Sequence, residues 1–295
     1  MSRKIYRIQI TGGYGLGDAL LITPSFRAIK QQDPHAKIIV VAPKRLRELF
    51  KYNPYIDRMP SIYLGYVYFG LSLINRLKVH RLRYGFLRPS LFYKKGAAEI
   101  LAEMLDVELS DADIEVFLTA AEEEKARNVL SRYNNPVIIN PSTVFSRNKE
   151  WLPDRWEELV QSLPDYTFIQ LGLKGEEPLV KGAIDMRGEF DIRESIALLK
   201  RSLCYVGVDS FLAHVTNAVK TPGVVLFGPS SPVIWGHPEN VNIYKKVQCS
   251  PCIDILHKDE CPYGRECMTG ITVDQVREAV TEQVKNRLLP RQAAV

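Results

Sequence analysis

The chain has 295 residues, of which 46% are hydrophobic and 25% charged, ordinary values that exclude disordered and fibrous classes. Lys and Arg number 39 against 34 Asp and Glu, leaving a formal net charge of +5, too mild for a nucleic-acid binder, and no nucleic-acid signature accompanies it. The length suits two domains, each with a sizeable core.

The apolar run Ile5 to Ile10 predicts a strand, and Leu20, Leu21, Phe26 and Ile29 predict a helix from about Asp18 to Gln31. The glycine-rich segment between them, from Gly12, is therefore a strand-to-helix turn, which in open α/β sheets lies where ligands bind. It is neither of the common nucleotide loops. Gly13, Gly15 and Gly17 are spaced two apart, not as GxGxxG, and the next strand, Lys37 to Val41, ends in Ala42-Pro43-Lys44 without a ribose-binding acid. The loop closes on Gly17-Asp18-Ala19, where a phosphate cradle needs lysine and a hydroxyl. A carboxylate at that place repels phosphate, so Asp18 is a candidate for acid-base chemistry, with helix capping as its alternative role.

A helix from about Leu46 to Tyr52 leads into a stretch, Met59 to Ala98, that lacks Asp and Glu altogether. Within it Arg76, Lys78, Arg81, Arg83, Arg88, Lys94 and Lys95 are interleaved with tyrosines and phenylalanines. Cations attract phosphates and aromatics settle at interfaces, which makes this stretch, with Arg76, Arg81, Arg83 and Arg88, a candidate for binding an anionic glycan or glycolipid or an anionic membrane surface. The alternative is a solvated basic face around a core strand. The longest uncharged apolar run, Ser61 to Ile74, is too short to cross a bilayer, and MSRKIYRIQI enters a strand without a cleavage pattern. The expectation is a cytoplasmic protein that touches the inner membrane peripherally.

A helix follows around Ala97 to Leu105, then a strand, Asp111 to Thr119, and a charged helix, Ala121 to Tyr133. Asn134-Asn135-Pro136 breaks the chain and sets the expected boundary between domains 1-134 and 135-295. A second alternation begins at once. It runs through strand Val137 to Asn140, helix Pro153 to Leu163, strand Thr167 to Leu171, helix Ile192 to Arg201, strand Cys204 to Val208, helix Leu212 to Val219, strand Gly223 to Phe227 and helix Val273 to Leu288. Two successive βα series predict an α/β chain of two Rossmann-like domains facing across a cleft.

The second half carries the equipment for a diphosphate. After Asn140, Ser142 and Thr143 offer hydroxyls and amides, Lys149 a point charge, and the Pro153 helix a positive dipole end. In Val206 to Pro232, the turn Asp209-Ser210 is read as capping the following helix, leaving the amides of Phe211 and Leu212 aimed at an anion, with His214 on the same helix end. Asp111-Ala112-Asp113 mimics a metal-binding DxD, but it opens a strand far from every phosphate feature.

Cys249, Cys252, Cys261 and Cys267 are spaced as CxxC, then eight residues, Cys, five residues, Cys. In a cytosolic chain such clustering suits structural zinc or iron, with His257 able to replace one ligand; free or redox thiols and disulfides are the alternatives. Cys204 lies in a buried strand and reads as core.

GDALLITPSFRAIKQQDPHAKIIVV, the run Lys149-Glu150-Trp151-Leu152-Pro153, VGVDSFLAHVTNA and VVLFGPSSP, in this order, resemble glycosyltransferase family 9, the ADP-heptose:lipopolysaccharide heptosyltransferases. The resemblance is strong in Gly12 to Pro60 and Val137 to Pro232. It implies the GT-B fold and an inverting transfer of heptose from ADP-heptose to a lipopolysaccharide core or related acceptor, with no cofactor for catalysis. It also implies Asp18 as general base, Lys149 as the lysine that neutralises donor phosphate, and Asp209, Ser210 and His214 as donor-binding residues. Ser142 and Thr143 correspond to phosphate hydroxyls, Glu176 or Glu177 to an acid near the donor ribose, and Phe190 to an adenine contact. The family usually has glycine after the Asp-Ser/Thr pair where this chain has Phe211. That departure keeps two alternatives open: a GT-B enzyme using another nucleotide sugar, and a non-catalytic nucleotide-sugar-binding protein.

Overall fold

The computed structural model describes residues 4–10, 13–61, 63, 65, 67, 70–71, 79–82, 94–252 and 260–288. The chain divides into two compact units, Met1–Phe117 and Leu118–Val295.

The first unit carries a three-stranded parallel sheet of order β2-β1-β3, formed by β1 (Ile5–Ile10), β2 (Lys37–Val41) and β3 (His80–Leu82). Tyr6, Ile8 and Ile10 of β1 are buried while the residues between them are less so, the period-two burial of a strand. β3 lies inside the basic aromatic stretch and puts Leu82 in the core. Where one helix was expected after the glycine turn, two occur, α1 (Leu16–Leu20) and α2 (Thr23–Gln32). Pro24 explains the break. Its ring clashes with the carbonyl four residues back, so the helix stops and restarts with proline in its first turn, where a missing N–H is harmless. α3 (Lys44–Arg47) is one turn long, shorter than predicted, and α4 (Ala97–Glu103) follows.

The predicted strand Asp111–Thr119 joins no sheet among the described residues. It is pinned to α2 instead: Arg27 pairs with Asp111, pairs with Glu115 at 2.8 Å and donates to the Asp113 carbonyl at 3.2 Å, while the Glu115 N–H donates to Thr23 Oγ1 at 3.0 Å. The DxD look-alike is thus a structural anchor.

The second unit comprises α5 (Ala120–Leu130), β4 (Pro136–Asn140), α6 (Pro153–Ser162), β5 (Thr167–Gln170), β6 (Ile184–Asp185) and α7 (Ile192–Arg201). It continues with β7 (Cys204–Val208), α8 (Phe211–Val219), β8 (Gly223–Phe227), α9 (Pro232–Trp235), β9 (Val241–Tyr244), α10 (Glu266–Thr269) and α11 (Val273–Leu288). Its six strands are all parallel, in the order β6-β5-β4-β7-β8-β9. β7 and β8 are buried throughout, as strands covered on both faces must be. Trp151 and Trp156 meet edge to face at 5.1 Å in a core that also holds Val206, Leu226, Val276 and Val280.

The division after Phe117 differs from the predicted boundary at residue 134, and α5 is the reason. Thr119 and Glu122 form a capping box at its start. The Glu122 carboxylate accepts from Nε and Nη2 of buried Arg193 on α7 at 2.5 and 2.9 Å, and Glu123 receives Lys200 and Arg201 at 2.6 Å each. α5 is therefore built into the second unit, and Asn134-Asn135-Pro136 only separates it from β4.

From β4 the chain proceeds to β5 on one side, and β7 later adds on the other. The ends of β4 and β7 define the switch point where such sheets bind ligands.

Candidate functional site

Asn140 closes β4, and Asp209-Ser210 follow β7. Ser210 Oγ donates to Asn140 Oδ1 at 2.8 Å, and Asn140 Nδ2 donates to the Leu171 carbonyl at 3.1 Å, so the ends of β4, β5 and β7 are stitched together at the switch point. Ser210 is the N-cap residue of α8, as expected, but its side chain makes no cap hydrogen bond. The first-turn N–H groups of Phe211 and buried Leu212 are left for another acceptor, the standard anion-receiving end of a helix.

Lys149 reaches the same place from a 3₁₀ turn, Arg147–Lys149. Its Nζ lies 2.6 Å from Asp209 Oδ2, 3.4 Å from the Asp209 carbonyl and 5.5 Å from the Phe145 ring centroid. The side chains are only 13% and 4% exposed. Burial alone would raise the Asp209 pKa, but the Lys149 charge and hydrogen bond outweigh it and hold the carboxyl below its ordinary range. His214, buried on α8, places Nδ1 3.0 Å from Nε2 of His237. Burial first, and then the neighbouring imidazole, push the His214 pKa well below its usual value. A ring shifted in this direction favours its neutral, hydrogen-bonding form.

Beside this constellation lies a cleft of about 440 Å³, whose walls include Thr143, Phe145, Arg147, Glu150, Glu176 and Glu177. Glu176 Oε2 accepts the Leu173 N–H at 2.9 Å; a Cβ on Gly172 would stand 2.6 Å from that oxygen, so only glycine lets the carboxylate sit there. Burial raises the pKa of Glu150, against the smaller opposing pull of Arg147 and Arg265. Carboxylates that accept from hydroxyls and a guanidinium that pairs with phosphate suit a sugar nucleotide.

Of the predicted donor residues, Thr143 and Glu176 line the cleft. Lys149, Asp209, Ser210, Leu212 and His214 gather at the β7–α8 junction, and Ser142 is buried after β4. Phe190 is not among the cleft residues; it is half-buried with Lys125 Nζ 5.9 Å from its ring centroid. Asn140, Phe145, Arg147, Glu150 and His237 were not singled out from sequence. For Asn140 the available signal was an amide at a strand end just ahead of the Ser142-Thr143 pair.

In the first unit Asp18 is the third residue of α1, and its Oδ2 accepts the Gly15 N–H at 2.9 Å. The carboxylate does cap its helix. Burial, and secondarily the Asp18 charge, raise the pKa of neighbouring Tyr14, whose carbonyl accepts from Arg45 at 2.7 Å. Arg81 sits on β3 opposite Gln9, while Arg76, Arg83 and Arg88 lie outside the described residues.

Cys249, Cys252, Cys261 and Cys267 are free thiols, with Cys252 and Cys267 buried. Burial, reinforced by the neighbouring thiols, pushes Cys252 up to about 11 and Cys267 up to about 12. Among the described residues no group of three or more His, Cys, Asp or Glu side chains is arranged to hold a metal ion. His257 is outside the described residues. Among those described, no helix is long and apolar enough to cross a membrane.

Residues 95–262, more than half of the chain, match the sequence profile of glycosyltransferase family 9 (heptosyltransferase). No protein with a curated description matches the chain. Several solved structures share its fold. A glycosyl transferase family 9 protein from Veillonella parvula is 18% identical, with a TM-score of 0.72 over 97% of this chain and 99% of its own. The ADP-heptose lps heptosyltransferase II of E. coli is 18% identical, with a TM-score of 0.70 over 95% and 99%. The iron-containing dodecameric glycosyltransferase TibC of enterotoxigenic E. coli is 19% identical, with a TM-score of 0.74 over 97% and 78%. TibC has also been solved in complex with ADP-D-beta-D-heptose. The fold they share with this chain is the α/β GT-B fold.

Proposed function

Because the chain belongs to glycosyltransferase family 9, we propose that it transfers heptose from ADP-heptose to a lipopolysaccharide core or a related anionic acceptor, with inversion at the anomeric carbon. The observation that carries this reading is the switch-point constellation: a buried Lys149–Asp209 pair, an uncapped first turn of α8, and a polar cleft beside them.

The donor diphosphate is received by Lys149, by the N–H groups of Phe211 and Leu212 and by the hydroxyls of Ser142 and Thr143. Lys149 has three N–H donors and can keep Asp209 while binding phosphate. Glu176 takes the ribose hydroxyls, Phe190 the adenine, and neutral His214 contributes a hydrogen bond. Asp18 removes the proton from an acceptor hydroxyl as that oxygen bonds to the anomeric carbon. The bond from that carbon to the diphosphate oxygen breaks through an oxocarbenium-like centre, and the electron pair leaves with ADP. Lys149 and the helix amides stabilise the departing charge, so transfer persists after exhaustive EDTA treatment. The acidless stretch Met59–Ala98, with Arg76, Arg81, Arg83 and Arg88, supports an anionic glycolipid acceptor presented at the cytoplasmic face of the inner membrane.

The test is turnover across a donor panel, with Asp18→Asn as the diagnostic variant. Loss of a general base lowers kcat by about 10² to 10⁴ with donor binding retained; near-full transfer by Asp18→Asn removes Asp18 from the role. Turnover of a different nucleotide sugar moves the donor assignment to the alternative enzyme. Binding of donors without nucleotide release favours a non-catalytic protein in which Phe211 blocks turnover.

A further inference from the structure

We infer that Arg265 is a positioning residue for donor binding: its guanidinium clamps the two backbone carbonyls that bracket Lys149. Nη1 of Arg265 donates to the Arg147 carbonyl at 3.0 Å and to the Glu150 carbonyl at 3.2 Å. The 3₁₀ turn between them is three residues long, held locally by Lys149 N–H to Ser146 O at 3.1 Å and Glu150 N–H to Arg147 O at 3.0 Å. So short a 3₁₀ segment has poor hydrogen-bond geometry and little intrinsic stability. A clamp from outside fixes where Lys149 starts and, through Arg147 and Glu150, where the cleft wall stands.

Arg265 is itself firmly seated. Its backbone is left-handed, with φ 55°, an uncommon state for a bulky residue that persists only where the surroundings impose it. Here its carbonyl accepts the N–H groups of Met268 at 2.8 Å and Thr269 at 2.9 Å, and Arg155 holds the Thr269 carbonyl at 2.6 Å. α10 then lies on the end of β8: a Cβ on Gly228 would come within 2.4 Å of Met268 Sδ and 3.0 Å of Cys267 Sγ. The cysteine-bearing segment, which the transfer chemistry leaves unused, thereby becomes the mount that presents Arg265 to the donor site.

This inference rests on the donor-site reading, and the experiment separates the two. ADP and ADP-heptose binding by calorimetry, donor KM and kcat, and thermal melting are measured for the full chain and for Arg265→Ala, Arg265→Gly and Arg265→Lys. Losing charge-assisted bonds of this kind should weaken ADP binding and raise donor KM about tenfold or more in the Ala and Gly variants, with kcat changed much less. Gly relieves the left-handed backbone, so a Gly variant that binds like the parent overturns the clamp, as does a fall in kcat at constant KM. Lysine is one atom shorter, so its ammonium falls short of the position from which Nη1 reaches both carbonyls, and Arg265→Lys should bind with intermediate affinity; parental binding by Arg265→Lys also overturns the clamp, and that variant decides if truncation prevents folding. A parent chain that binds neither ADP nor ADP-heptose defeats the donor-site reading itself, and the clamp's role with it.

Discussion

Lys149 and Asp209 meet at 2.6 Å with almost no water around either, and each is tolerable there only because of the other. Asp209 is held below its ordinary pKa, so its contribution to stability is complete above about pH 4 and is lost as pH falls through the lower folded value. Lys149→Ala reverses the sign. Burial then dominates and raises the Asp209 pKa, so unfolding at pH 7 becomes easier by about 3–5 kcal/mol, and the deficit shrinks towards pH 5 as the carboxyl protonates. Urea denaturation at both pH values measures this; equal deficits would refute the assignment. The Lys149→Met, Asp209→Asn double variant should recover most of the loss while still binding donor poorly. At this scale the sequence showed which residues carry chemistry but not their partners. Asp18, Lys149, Asp209 and Ser210 stand out because each occupies a turn whose local pattern predicts its place. Asn140 lies 70 positions from Ser210, and Arg265 lies 115 from Glu150; no local pattern joins such pairs.

Among the elements, α5 shows how charge settles allegiance. Glu122 is drawn down to about 2, first by its hydrogen bond to Arg193, against the cost of burial. The group therefore stabilises fully above its unfolded value of about 4.5 and loses that contribution as pH falls towards 2. Glu122→Gln removes the carboxylate charge that faces buried Arg193 and should cost about 2–3 kcal/mol at pH 7. The gap between variant and parent should close as pH is lowered from 5 to 2.5, which denaturant titrations would show; a gap that stays constant would mean the pair contributes no pH-dependent stability. Most second-unit helices and strands were legible because period and length distinguish them, as for Ile192–Arg201 and Cys204–Val208. The failures have separate causes. Pro24 splits one predicted helix, and Asp111–Thr119 has a strand's composition but finds Arg27 instead of a neighbouring strand.

For the whole molecule, the division after Phe117 makes a direct prediction about fragments. Residues 118–295 retain α5, the Glu122–Arg193 pair and the cleft, and should melt cooperatively and bind ADP on their own. A fragment starting at residue 135 strips α5 from α7 and should be markedly less stable or insoluble. If both fragments behave alike, α5 does not belong to the second unit. The amino-acid sequence by itself determined the α/β class, the strand-end turns that carry Asp18, Lys149 and Asp209, and the family, because each is written in spacing over a few tens of residues. Only the tertiary structure decided where the chain divides, that Lys149 is already paired, that His214 is buried against His237, and that the cysteine-bearing segment reaches back to the donor-site turn. Those outcomes depend on burial and on contacts between residues far apart in the chain, and hydrophobic periodicity specifies neither.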